Sequence, residues 1–392
     1  MLKHLLKLMW NKRRANSMLF LEILLAFIVL FAVYAFGIYN LERYSSPLGF
    51  NYEQSLRVQL DLNDDLDSAG VLAIQERIRT ELLTLPSVAD AAFIGFVAPF
   101  LNNTWYNGND DNGYELGTMG FFADEHYAST AELQLREGRW FEAGDANAKY
   151  TPIIVNGAFA DEFYPNTTSL LDTILKLEGD NKIIGVVEDF KYSSNFAEAS
   201  PLTFFYQRNG DYAKNPYESL IVRTKPGQTA AVEEPIYNML TNITGNTDVV
   251  IENLAGARIQ ANRPTIIPLV ILTTISAFLL INIALGLFGV LFTQINRRRA
   301  EIGLRKAMGA TPGEVTAQFV GEVLIVTVAG LLLGTFFAVQ VPLLELLPIP
   351  GKYFYFGIGA AIATILLIVT LCALLPSRQA ARLHPADVLH EE

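Results

Sequence analysis

The sequence predicts an α-helical integral membrane protein with four transmembrane helices and one large α+β domain outside the cytoplasm. Three observations carry this. Four apolar blocks, residues 18–39, 266–292, 316–340 and 353–375, are each long enough to cross a bilayer, which takes about 20 residues. Positive charge collects in the short segments on one side of those blocks. The long stretch 40–265 carries strand and helix periodicities and is strongly acidic.

Composition supports the division. Of the 392 residues 51% are hydrophobic and only 18% charged, below the roughly 25% usual for a soluble chain. Residues 39–265 hold 32 acidic and 16 basic side chains, a balance of −16, whereas the remainder is net +5. An acidic outer domain excludes nucleic acid as a partner, because that needs a basic face. The single cysteine, Cys372, lies in the last apolar block. No disulfide can therefore staple the outer domain, which must hold together on its own core.

The first block is too long for a signal-peptide core and no A-x-A-like site follows it, so it reads as a retained helix. Orientation follows from the flanks. Residues 1–17 carry Lys3, Lys7, Lys12, Arg13 and Arg14. Residues 293–315 carry Arg297, Arg298, Arg299, Arg305 and Lys306, and the tail 376–392 carries Arg378 and Arg382. The loop 341–352 carries only Lys352. Threading four spans puts the three basic segments, and both termini, in the cytoplasm and residues 40–265 outside. Residues 2–15, apolar at Leu2, Leu5, Leu6 and Met9 with basic residues between, suit a helix on the inner membrane surface. A plain basic flank fits them equally.

Within the outer domain, Ser55–Leu62 alternates as a strand, Ser68–Leu85 has helical spacing and Val88–Val97 reads as a strand again. Ser219–Thr224, Thr229–Thr241 and Asp248–Leu254 repeat the order strand, helix, strand. Two β-α-β units thus flank an inserted, mostly β subdomain at about 100–214, which contains strand-like runs such as 182–187. Its chemistry is sparse. His126 is the domain's only histidine, and Asp124, Glu125 and His126 are too close in sequence to converge on a metal, which needs three or four ligands. The loop Asn107–Gly113 has a calcium-like composition without the D-x-[DN]-x-[DN]-G spacing. No metal, cofactor or catalytic residue is assigned to the chain.

The most informative stretch is RRRAEIGLRKAMGATPGE, 297–314. On a helix, Ala300, Leu304, Ala307 and Met308 share an apolar stripe, while Arg298, Glu301 and Arg305 share a charged one with Glu301 four residues before Arg305. Gly309 suits the helix C-terminus. Thr311, Pro312 and Glu314 have the pattern of a capping box with proline in the first turn. A loop that served topology alone needs charge but none of the rest. The candidate docking residues for a cytoplasmic partner are Arg298, Glu301, Leu304, Arg305, Lys306, Met308 and Gly309. Glu22 and Glu322 are the charges inside the spans, and either a packing role or a coupling role suits them. Gly330, Gly334 and Ala338 make a small-residue row in the third span, either a seam between two copies or packing within one.

The stretch RRRAEIGLRKAMGAT resembles the signature loop of the MacB-like, FtsX-type permease family of ABC transporters. WNKRRAN (10–16), LREGRWFEAGD (135–145), PIIVNGAFADEFYP (152–165), IIGVVEDFKY (183–192) and HPADVLHEE (384–392) resemble other pieces of that family in the same order. The resemblance implies a periplasmic core domain over 40–265, Porter-like at 50–99 and 215–255 and Sabre-like at 100–214, with an FtsX-like permease domain at 266–385. It implies a permease subunit in the bacterial inner membrane, surrounded by lipid and paired with a second copy or paralogue. A separate ATPase would carry the ATP and magnesium, and a periplasmic adaptor or envelope protein is a further partner. ATP-driven motion would be passed to the periplasm for efflux, lipoprotein handling or another envelope process. The alternative function is a membrane-anchored periplasmic sensor, which would need an output domain that about 57 inner residues scarcely hold. Some relatives carry a fused ATPase or eight spans, and these 392 residues contain neither. No G-x-x-x-x-G-K-[ST] occurs, since Gly351-Lys352 is preceded by Leu346 at the first glycine position. The purified chain is accordingly expected to hydrolyse no ATP. Hydrolysis that persists after contaminating ATPases are removed would overturn its assignment as a non-catalytic subunit.

Overall fold

The computed structural model describes residues 13–60, 62, 67–101, 103–107, 117–176, 180–206 and 219–381. The amphipathic segment before residue 13, the loop after Asn107 and the tail beyond Ala381 lie outside them. The chain divides into two compact units, Met1–Glu42 with Thr265–Glu392, and Arg43–Pro264.

The second unit is built on one mixed sheet. Its frame comes from the two β-α-β units. β1 (Ser55–Gln59), α1 (Ser68–Thr84) and β2 (Val88–Ile94) form the first. β10 (Ser219–Thr224), α2 (Thr229–Thr244) and β11 (Val250–Asn253) form the second. They interleave in the order β11-β1-β10-β2, antiparallel throughout, the split β-α-β arrangement. Period-2 alternation sends Leu56, Val58, Phe93, Leu220 and Val222 to one face. There they bury against Ile78 and Leu82 of α1 and Val232, Ile236 and Leu240 of α2. The helix ends follow their cap residues. Asp67 accepts from the Gly70 amide at 2.8 Å, and α2 stops at Gly245, whose φ of 69° is in the left-handed region.

The insertion continues the same sheet. β4 (Thr118–Ala123), β9 (Leu202–Tyr206), β6 (Thr151–Asn156), β8 (Asp180–Val187) and β5 (Leu135–Gly138) extend it in that order. Two short strands attach, β3 (Tyr106–Asn107) to β4 and β7 (Ile174–Lys176) to β8. Aromatic residues fill the face opposite the helices. Phe121, Phe190, Phe204 and Trp140 lie with ring centroids 5.1–5.5 Å apart along their contacts. Such edge-to-face pairs add about 0.5–1.5 kcal/mol beyond the area they bury.

Frame and insertion meet at a narrow seam, because β2 and β4 share one register pair, Ile94 with Ala123. Asp124 completes it. Its carboxylate accepts from the amides of Phe93 (2.7 Å) and His126 (3.0 Å), and its carbonyl accepts from the Trp140 indole at 3.0 Å. The Asp124 side chain thus serves backbone groups, while Glu125 accepts from the Tyr206 hydroxyl at 3.2 Å, and among the described residues no three His, Cys, Asp or Glu side chains cluster to hold a metal. Burial pushes the Asp124 carboxyl up to about 8, with the Glu125 charge adding to the rise, while the two amide donors and Arg79 only partly oppose it. A raised folded-state value means that the folded domain keeps a proton the unfolded chain gives up near 3.9. The contribution is therefore fully present below about pH 4 and is lost as pH rises toward 8, at no more than about 1.4 kcal/mol per pH unit. Urea unfolding followed through Trp105 and Trp140 should show a midpoint that falls over this range. In Asp124→Asn the slope should flatten, and an unchanged slope would assign the titration to another group.

The first unit consists of long helices. Among the described residues four are long and apolar enough to cross a membrane: Ser17–Ser45, Leu254–Arg297, Pro312–Leu343 and Gly351–Arg378. In a bilayer a helix satisfies its own backbone, which is why such blocks take this form.

Candidate functional site: a short helix braced against the third apolar helix

The helices around the site are αA (Arg13–Ser45), αB (Leu254–Arg297), αC (Arg299–Ala307), αD (Pro312–Leu343) and αE (Gly351–Ala381). The small residues of αD set the close approaches. A Cβ on Gly334 would lie 2.4 Å from the Phe27 ring of αA, and one on Gly330 would lie 3.1 Å from Ile23. Ala338 is buried in the same row. Gly330 and Gly334 thus pack αD against αA within this chain. Glu22 of αA is half-buried and turned toward αB, where a Cβ on Gly286 would stand 3.1 Å from its Oε2.

αC is the short helix between αB and αD. It ends as its sequence dictates. Gly309 has φ 99°, its amide donates to the Lys306 carbonyl and the Ala310 amide to the Arg305 carbonyl, the pair of bonds of a Schellman turn. Nothing stands within 4 Å of a Cβ built on Gly309, so the demand for glycine is conformational, about 1–2 kcal/mol for any other residue. αD then starts on a full capping box. Thr311 Oγ1 accepts from the Glu314 amide at 3.3 Å, and Glu314 accepts from the Thr311 amide at 2.9 Å, with Pro312 in the first turn.

One side of αC is fastened by a ladder of polar groups. Arg298, at its N-cap, donates to Glu322 Oε1 of αD at 2.9 Å. Gln318 Nε2 reaches the same oxygen at 3.4 Å, Arg305 donates to Gln318, and Arg305 pairs with Glu301 one turn earlier. Glu322 is buried and Arg298 mostly so, with side chains 11% and 13% exposed, so this pair is partly shielded from screening. Ile302 inserts beside it and joins the core of the helix bundle. The other side of αC is bare. Ala300, Leu304, Ala307 and Met308 are all exposed, Leu304 at 56% and Met308 at 73%.

Of the candidate residues, the structure therefore brings Arg298, Glu301, Arg305 and Glu322 into one network and leaves Leu304 and Met308 on the surface. Arg298, grouped above with the docking residues, is turned inward to Glu322. Lys306 is half-buried near the end of αC. Sequence reasoning missed Ile302 and Gln318. Gln318 sits one turn before Glu322 and could have been read as its helix neighbour, whereas Ile302 lies off the predicted apolar stripe and gave no signal.

Four membrane-length apolar helices, a long αβ domain between the first two and a braced short helix between the second and third define a permease-like integral membrane protein. The MacB-like periplasmic core domain matches residues 23–237, more than half of the chain, and the FtsX-like permease C-terminal region matches residues 273–385. The chain belongs to the MacB-like, FtsX-type family of ABC transporter permeases, and is an inner-membrane protein with a periplasmic domain. Among relatives, the macrolide export ATP-binding/permease protein MacB of Salmonella choleraesuis is 25% identical over 275 residues, covering 68% of this chain and 42% of its own length. That of Neisseria meningitidis serogroup A is 24% identical over 279 residues with the same coverage. The chain thus spans under half the length of the relatives it matches. The periplasmic region of MacB from Actinobacillus actinomycetemcomitans is similar at a TM-score of 0.37 and 12% identity, over 55% of this chain and 95% of that one. The extracellular domain of YknZ from Gram-positive bacteria gives 0.36 and 14%, over 51% of this chain and 100% of that one.

The ladder makes a definite claim about stability. Removing one partner of a buried ion pair strands the other, at roughly 3–5 kcal/mol, whereas replacing both by apolar groups is often nearly neutral. Arg298→Met and Glu322→Leu should each lower the thermal midpoint in detergent, and the double variant should recover most of the loss. Equal and additive losses would show that the two side chains do not hold each other.

Proposed function

We propose that this chain is the membrane subunit of an ABC transporter, coupling a separate ATPase to work in the periplasm. The observation that carries this is the two-sidedness of αC. Its inner side is bolted to αD through Arg298, Glu322, Gln318 and Arg305, while its outer side presents Leu304 and Met308 to a partner. A motor can drive a membrane helix only through an element that is stiffly joined to it. The turn from Gly309 to Pro312, with its capping box, leaves little slack between αC and αD. An apolar stripe of this size fits a groove on the partner, and charges such as Lys306 at its margin favour register and association rate over affinity.

In this reading ATP and magnesium reside on the ATPase, both termini face the cytoplasm, and a second copy or paralogue completes a two-fold membrane unit. The client is a periplasmic or envelope substrate. The relatives named for macrolide export suggest efflux as one such process.

Cysteine placed at position 304 or 308, with Cys372 replaced, should cross-link to the ATPase that co-purifies with the chain. Leu304→Asp should weaken that association at least tenfold while membrane insertion is unchanged. A complex that co-purifies without any cross-link from this helix would place the docking surface elsewhere.

A further inference from the structure

The segment 188–196, EDFKYSSNF, follows β8 without regular secondary structure, yet Phe190, Lys191, Tyr192, Asn195 and Phe196 are buried. A buried loop must find a partner for every backbone polar group, so such segments are rare and specific. This one finds them on the outer ends of two long helices and on the sheet, at residues that all lie within the unit Arg43–Pro264.

At the end of αA, Lys191 is 5% exposed. Its ammonium donates to the Arg43 carbonyl at 2.8 Å, to Ser46 Oγ and to the Asn195 carbonyl at 3.4 Å. Those three acceptors match its three protons. The Arg43 carbonyl is in the last turn of αA, where the helix dipole favours a cation. The Lys191 amide donates to the Leu48 carbonyl at 2.8 Å, and Arg43 in return donates to the Phe196 carbonyl at 3.2 Å. The chain after αA presses on the loop so closely that a Cβ on Gly49, whose φ is 86°, would lie 1.9 Å from the Asp189 carbonyl oxygen.

At the outer part of αB, Asn262 is the counterpart. Its Oδ1 accepts from the Asn195 amide at 3.0 Å and its Nδ2 donates to Asn195 Oδ1 at 2.9 Å, both residues being buried. On the sheet side the Glu188 amide donates to the Gln134 carbonyl at 2.9 Å, and the Tyr192 carbonyl accepts from the Phe100 amide at 2.7 Å. Phe190 sits in the aromatic core against Phe121 and Phe204.

We propose that residues 188–196 are the joint that seats the outer ends of αA and αB on the sheet, with Lys191 and Asn195 as its positioning residues. The segment leads straight out of β8, so displacement of either helix end is delivered to the strand that pairs with β5, β6 and β7. This rests on the coupled-transporter reading, and it names the place in the periplasmic domain where motion arrives.

The test is hydrogen exchange on the full chain in nanodiscs, with its co-purifying ATPase, in the presence and absence of ATP. Without nucleotide, Lys191→Met should speed exchange of the Lys191 and Asn195 amides at least tenfold while β1 and β10 are unchanged. Asn262→Leu, on a helix outside the sheet, should do the same at Asn195 and serves if the lysine variant fails to fold. Unchanged exchange in a folded variant overturns the joint. With ATP, the wild type should show altered exchange in β8 that either variant loses while ATP hydrolysis continues. A variant that keeps the ATP-dependent change overturns the joint and leaves the transporter reading standing. A wild type that hydrolyses ATP with no change anywhere in the periplasmic domain overturns the transporter reading, and the joint's role as a transmitter with it.

Discussion

The constraint beneath this structure is that one chain must satisfy two solvents. In the bilayer no water is available to backbone groups, so the apolar blocks can only be helices. Between such helices there is little hydrophobic drive, because lipid is as apolar as leucine, and close contact has to come from small residues and polar pairs. Both appear where αD meets its neighbours. Gly330 and Gly334 let Ile23 and Phe27 of αA approach, and Glu322 fixes Arg298 at the start of αC. In water the logic reverses. The periplasmic sheet has no disulfide and relies on apolar burial on both faces, aliphatic and helix-covered on one, aromatic on the other.

Polar groups mark three places where elements meet. Asp124 strengthens the seam where β2 and β4 share one register pair. The Arg298 ladder holds αC to αD. Lys191 and the Asn195–Asn262 pair hold the outer helix ends to the loop after β8. Each is directional and each leaves a costly unsatisfied group if one partner is removed, so each specifies a geometry that apolar contact alone would leave loose.

Much of the architecture was legible before any coordinates. Length and hydropathy identify the four spans, because the bilayer admits no alternative. The strand Ser219–Thr224 and the helix read at Thr229–Thr241, which runs on to Thr244, follow from period-2 and period-3.6 patterns that local burial enforces. The turn at Gly309 and the capping box at Thr311 and Glu314 are short-range motifs whose partners lie within five residues, and they form as read. So do the exposed stripe of Ala300, Leu304, Ala307 and Met308 and the Glu301–Arg305 pair.

What the sequence by itself determined is therefore whatever depends on near neighbours or on solvent: the spans, the two β-α-β units, the helix ends and the faces of αC. Only the tertiary structure decided which distant groups meet. It joined Arg298 to Glu322 across 24 positions and Asn195 to Asn262 across 67. It set the Gly330–Gly334 row against αA, and ran frame and insertion together as a single sheet. The reason is physical. A local pattern is enforced by a few bonds within one turn or strand, whereas a contact between distant residues depends on how whole elements pack, and no single residue type encodes that.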